Sequence, residues 1–176
     1  MYEALHAAFP KEPFLLKLSR IYRDARRLHG NGPYKDHLWF CVRAGGEDWT
    51  GRPTFYFEIG PDYYSYGMGF WAPKAALMEA YRKAVDEHPE VLEKLVKRFN
   101  KQAQFALSGP EYARKKTAPS PLLAAWYNKK SINLQHDAAP DERMFSQELA
   151  QDIIEGFRTL MPLYKYFDAL CAAEMV

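Results

Sequence analysis

Cysteine is nearly absent. Cys41 and Cys171 are the only two in 176 residues. Their separation excludes a disulfide framework and any Cys-x-x-Cys redox or zinc pair. They read as small apolar side chains in a reducing compartment. Long apolar runs are missing as well: none approaches the roughly 20 residues that a membrane-crossing helix needs. The start, Met-Tyr-Glu-Ala-Leu-His, lacks a basic stretch followed by an apolar one, so no secretory signal is expected. A soluble, cytoplasmic protein with no membrane partner is the resulting expectation. Neither sign of charge dominates, with 24 Lys and Arg against 22 Asp and Glu. That balance demands no polyanionic partner.

Familiar chemistry is scarce too. Five histidines are present (His6, His29, His37, His88 and His136), none at metal-ligand spacing with another. His136-Asp137 with Asp141 comes nearest to a metal cluster and reads as a solvated loop. No Gly-x-Ser-x-Gly elbow offers an acyl-transfer serine. The Gly67-Met-Gly69 step is neither a full Gly-x-Gly-x-x-Gly pattern nor a P-loop, and reads as close packing before it reads as a phosphate cradle. Neither cysteine has a base beside it. Glu58 and Asp62 read as solvated acids at a strand end. No metal and no cofactor is implied. Repeats and low-complexity segments are missing.

What remains is aromatic and locally basic. Aromatics make up 15% of the chain and apolar residues 48%, enough to fill the core of one domain spanning residues 1–176. Residues 11–35 hold seven Lys or Arg against two acids, a balance of +5 that leaves −3 for the rest. Within them Arg20, Arg23, Asp24, Arg26, Arg27 and Lys35 crowd around Gly30-Asn31-Gly32-Pro33, beside Ile21, Tyr22 and Tyr34. Two readings stand. In the first, Arg23, Arg26 and Lys35 converge on a phosphate or carboxylate, which the planar guanidinium fork suits, and the glycine turn adds backbone N–H groups. In the second, Asp24 and a neighbouring carboxylate neutralise Arg20 or Arg23 and the cluster pins the sheet, because buried arginines need partners in any fold.

Along the chain, residues 3–18 read as helical or mixed, broken by Pro10 and Pro13. Ser19–Arg26 fits a strand or a helix, with the strand preferred and a break at Gly30–Pro33. His37–Arg43, Thr54–Ile59, Tyr63–Trp71 and Ser131–His136 read as strands. Ala44–Pro53 reads as a loop and Gly60-Pro61-Asp62 as a turn. The glycines of Tyr63–Trp71 point to a bulge or a close backbone contact. Pro73 opens a helix with Leu77, Ala80, Tyr81, Ala84 and Val85 inward. Pro89 opens another, with Leu92, Leu95, Val96, Phe99 and Ala103 inward, ending at Gly109-Pro110. An irregular basic connector covers 110–121, and a short helix is expected over Pro121–Lys130. A long C-terminal helix begins near Asp141–Ser146 and is interrupted at Pro162. The pattern predicts an α+β fold: a mainly antiparallel sheet of about four to five strands packed against several helices.

Several segments now stand together: Arg20-Ile-Tyr-Arg-Asp-Ala-Arg26, Pro33-Tyr-Lys35 and Phe55-Tyr-Phe57. After them come Gly67-Met-Gly-Phe-Trp-Ala-Pro73, a helix bearing Arg82, and Glu111-Tyr-Ala-Arg114. Leu122-Leu123, Lys129-Lys130-Ser131 and Leu160-Met-Pro-Leu-Tyr164 complete the succession. It resembles the DUF2461 family from about residue 18 to the C-terminus, with a shortened N-terminal segment. The resemblance implies a fold and supplies no reaction. Where the family carries an aromatic residue and a lysine-rich stretch, this chain has Arg27 and Leu28-His-Gly-Asn-Gly32.

The preferred function is a small soluble module that binds an anionic ligand through Arg20, Arg23, Asp24, Arg26 and Lys35, walled by Tyr34, Tyr64 and Trp71. The alternatives are an enzyme that clamps a phosphorylated or carboxylated small substrate with the same residues, and a scaffold whose aromatic sheet face pairs with another protein. No general base stands out, which disfavours the enzyme. Nucleic acid would need Arg114-Lys115-Lys116 and Lys129-Lys130 beside exposed Tyr112, Trp126 and Tyr127. A solvated connector is the plainer reading.

Overall fold

Strands that alternate apolar and polar residues need a layer to cover one face, and here helices supply it. The computed structural model describes residues 2–24, 26, 32–45 and 51–173. Its strands are β1 (Phe14–Leu18), β2 (Leu38–Ala44), β3 (Pro53–Ile59), β4 (Tyr64–Phe70), β5 (Ala106–Ser108) and β6 (Asn133–Ala138). They form one sheet in the order β1-β2-β3-β4-β6-β5, antiparallel at every pairing. The fold is α+β, with one strand more than expected.

The register separates the two faces. Leu16, Val42, Phe55, Met68, Leu134 and Leu107 make one continuous row across the six strands. The neighbouring row, on the opposite face, runs Lys17, Cys41, Tyr56, Gly67, Gln135 and Ala106. The first row belongs to the core on the side where the long helix α5 (Gln147–Ala173) packs against β3 and β4. There Phe55 stacks between Phe157 and Tyr164, at 4.6 and 4.8 Å between ring centroids. Phe14 meets Tyr164 edge-on, and Phe70 meets Phe167 in the same way. α5 runs through Pro162 without interruption. Leu160, Leu163 and Tyr164 are buried around it, and that packing outweighs the roughly 3 kcal/mol cost of an internal proline.

The remaining helices are α1 (Tyr2–Ala8), α2 (Ala75–Glu87), α3 (Pro89–Phe99) and the short α4 (Ala124–Tyr127). α4 follows a 3-10 turn at Pro121–Leu123. Leu77, Tyr81 and Val85 of α2 point inward, as do Leu92, Val96 and Phe99 of α3.

Several expectations are corrected. Among its described residues Ser19–Arg26 forms no sheet strand, and the pairing there is an isolated bridge from Tyr22 to Tyr34. Ile21 and Tyr22 are both exposed, so the segment has no apolar face for a sheet to bury. The first strand is Phe14–Leu18, inside the stretch read as helical or mixed. β5 was not foreseen: three residues are too few to show a period. α3 ends at Phe99, so Ala103 lies beyond it and is exposed. α2 begins at Ala75 rather than Pro73. The C-terminal segment opens with a 3-10 turn at Glu142–Phe145 before α5. The glycine turn at residues 30–31 and the loop at residues 46–50 lie outside the described residues.

Candidate functional site

β1 and β2 are joined through the basic segment, and hydrogen bonds draw that segment into a narrow stem. Ser19 N–H donates to Trp39 O at 2.8 Å, and Trp39 N–H donates to Ser19 Oγ at 3.0 Å. Beyond them Arg23 N–H reaches Pro33 O and Lys35 N–H reaches Ile21 O, both at 2.8 Å. The Tyr22 and Tyr34 rings lie 5.4 Å apart on this stem. An open groove of about 830 Å³ runs between the stem and the uncovered face of β1 and β2. Among the described residues, Lys17, Arg20, Arg23, Arg26 and Lys35 line it against a single carboxylate, Asp24. Tyr22, His37 and Trp39 complete its walls.

The cations have different employment. Arg23 is half-buried, with 28% of its side chain exposed. Its Nε donates to Tyr34 O at 2.7 Å, and its Nη2 lies 3.4 Å from Asp36 Oδ2. It therefore ties the two sides of the stem together. Arg26 forms a two-point pair with Asp24, through Nε at 3.0 Å and Nη2 at 2.7 Å. Lys35 holds its ammonium 5.8 Å from the Trp39 ring centroid, a cation–π contact. Among the described residues Arg20 has no ion pair and donates no side-chain hydrogen bond. The cluster is thus a composite, with Arg23 structural and with Arg20 and Lys35 bound to no carboxylate among the described residues.

His37 adds chemistry that the sequence reading passed over. Its Nδ1 stands 2.8 Å from Asp36 Oδ1. That hydrogen bond, with the Arg23 charge behind it, holds the Asp36 carboxyl below its ordinary range. The imidazole is therefore oriented by a carboxylate while its side chain borders the groove. Lys17, Tyr22, His37 and Trp39 were all missed as site residues. Alternation from His37 to Arg43 places His37, Trp39 and Cys41 on one face. The pairing of Lys17 with Cys41 brings β1 to the same face, and no local pattern announces that pairing.

Two expected walls do not belong. Tyr64 and Trp71 are separated by the whole of β4, roughly 23 Å of extended chain. Tyr64 is buried on the helix side, near Tyr66, Phe57 and His136. Trp71 is 80% exposed at the far end of the strand. Tyr34 flanks the groove through its pairing with Tyr22 but does not line it.

Other candidates resolve into structure. A Cβ on Gly67 would collide with Leu134 O, and one on Gly69 with Asn133 Oδ1. These glycines therefore permit the close approach of β4 to β6, and the register shows no bulge between those strands. Cys41 and Cys171 are both free and buried. Burial raises the Cys41 thiol and pushes Cys171 up to about 12, which is the wrong direction for a nucleophile. His136 Nδ1 lies 2.9 Å from Gln104 O. Among the described residues no group of three His, Cys, Asp or Glu could hold a metal ion, and no helix is long and apolar enough to cross a membrane. The aromatic sheet face that a scaffold would present is buried against α5.

The connector after β5 is tightly strapped. The Asn128 side chain accepts from Lys116 N–H at 2.9 Å and donates to Lys116 O at 3.1 Å. Lys129 is buried and donates to Gly109 O and Glu111 Oε1, at 3.0 and 3.2 Å. Trp126 and Tyr127 are buried as well, so they present no stacking face to a nucleic acid. Arg82 and Lys130 both approach the Tyr112 ring, at 4.7 and 5.8 Å from its centroid.

Comparison with curated proteins finds no match. A family model described as a conserved hypothetical protein (DUF2461) matches residues 2–166. That match takes in α1 and β1, and so starts well before the point near residue 18 where the motifs begin. The chain therefore belongs to the DUF2461 family.

Proposed function

We propose that the chain is a small anion-binding module whose ligand lies in the groove beside β1 and β2. One observation carries the reading: among the described residues, five cationic side chains line that groove against one carboxylate, and Arg20 and Lys35 are engaged by none. A phosphate or carboxylate reaching both would gain charge-assisted hydrogen bonds of roughly 1.5–3 kcal/mol each, less where water screens them. Two free, buried cysteines suit a reducing, cytoplasmic setting. The test is a thermal-shift screen over nucleotides, sugar phosphates and small carboxylates. A ligand at about 100 times its Kd stabilises the folded state by roughly 2.7 kcal/mol. That shift is expected to vanish in both Arg20→Ala and Lys35→Ala. A flat screen, or a shift unchanged by both substitutions, overturns the reading.

A second reading, an enzyme acting on a phosphorylated or carboxylated small substrate, rests on His37. Its pairing with Asp36 at the groove wall fits a general base next to a clamped anion. His37→Asn separates the two readings. Turnover lost with ligand binding retained favours the enzyme; binding without turnover in the parent protein favours the module.

A further inference from the structure

We propose that a recess on the other side of the connector, between α2, α4 and Lys116, is a second binding site that takes a small oxyanion and is anchored on Arg82. The recess holds about 580 Å³, within the range of pockets that take small molecules. Arg82 lines it and is only 9% exposed. Among the described residues its guanidinium donates no hydrogen bond and has no carboxylate within ion-pair distance, and its Nη1 is buried without a partner. The Tyr112 ring lies 4.7 Å from the guanidinium carbon. An aromatic face offsets part of a cation's desolvation but accepts no in-plane N–H bonds. A buried guanidinium with unmet donors is costly, and an oxyanion would supply the missing acceptors.

The surroundings are held ready for such a ligand. Lys116 borders the recess, and the buried Asn128 clamps both its N–H and its C=O. A connector residue without regular structure is thereby fixed opposite α2. Ala76 and Ala80 leave room on the helix surface. Asp86 is engaged by the Tyr127 hydroxyl at 3.0 Å. Glu79 and Asp86 also line the recess and limit the charge it accepts, which favours an oxyanion of low charge over a polyphosphate.

The experiment is an NMR titration of the full chain with inorganic phosphate and, separately, with acetate, following the Arg82 Nε–H and Lys116 amide signals. A saturable shift in either titration is expected, and the anion that produces it separates a phosphate site from a carboxylate site. Lys116→Ala leaves both backbone bonds to Asn128 in place, so it folds, and it should weaken the titration about tenfold, the loss of one charge-assisted hydrogen bond. Arg82→Lys should abolish it. The Arg20→Ala/Lys35→Ala double variant should leave it intact, which distinguishes this recess from the groove. Strictly linear shifts with both anions, or saturation unaffected by Lys116→Ala, overturn the proposal.

Discussion

Arg20 and Arg23 stand three residues apart and carry different burdens. Arg23 joins the stem through Tyr34 O and Asp36, whereas Arg20 is exposed at the groove. Arg23→Ala should therefore destabilise the fold by about 1 kcal/mol after allowance for partial exposure, and weaken ligand binding with it. Arg20→Ala should leave the urea midpoint unchanged and remove binding alone. Equal midpoints for the two variants would contradict this division. The thiols give a second residue-scale prediction. Burial raises both, so a disulfide reagent should modify neither at neutral pH in the folded protein and both in urea. Fast labelling of the native state would show that Cys41 or Cys171 is accessible after all.

At the scale of elements, stability near the connector depends on Glu111. Hydrogen bonds from Lys115 and Lys129 hold its carboxyl below the ordinary value of 4.5. In the unfolded chain the carboxyl returns to that ordinary value and binds its proton first as pH falls. Its contribution is therefore fully present above 4.5 and is lost as pH drops through the lower, folded value. Glu111→Gln should unfold at lower urea than the parent at pH 7, and the gap should narrow as pH is taken below 4.5. A gap that stays constant with pH would place the effect in packing rather than charge. Legibility also divides by element. Phe55, Phe57 and Ile59 announce β3 because they alternate along the strand, with Phe55 in the core and Phe57 packed against it. Phe-Leu-Leu-Lys-Leu hides β1, because Leu15 and Leu18 are exposed apolar residues that blur the period. The groove was half legible: its cations are contiguous in sequence, but Lys17, His37 and Trp39 arrive through strand pairing. Tyr64 and Trp71 failed as walls because proximity in sequence along a strand is distance in space. Arg82 gave no sign of its isolation, since its helix position says nothing about which acids fail to reach it.

Across the whole molecule, charge is arranged unevenly. Residues 11–35 carry +5 and the rest −3, so the basic groove faces solvent while much of the balancing charge lies elsewhere. An open groove of this kind attracts anions over distance, and salt screens that attraction within roughly 8 Å at physiological ionic strength. The recess at Arg82 works differently. Its anchor is buried, and buried charges are screened far less. The two proposed sites should therefore separate under potassium chloride. Between about 0.01 and 0.15 M salt, over which the Debye length falls from roughly 30 to 8 Å, affinity at Arg20 and Lys35 should drop severalfold. Phosphate or acetate titrated at the Arg82 Nε–H should change little over the same range. Following both sets of signals in one sample makes the comparison internal. Parallel losses at both places would mean that Arg82 senses its anion through solvent, and that its missing hydrogen bonds are met by water.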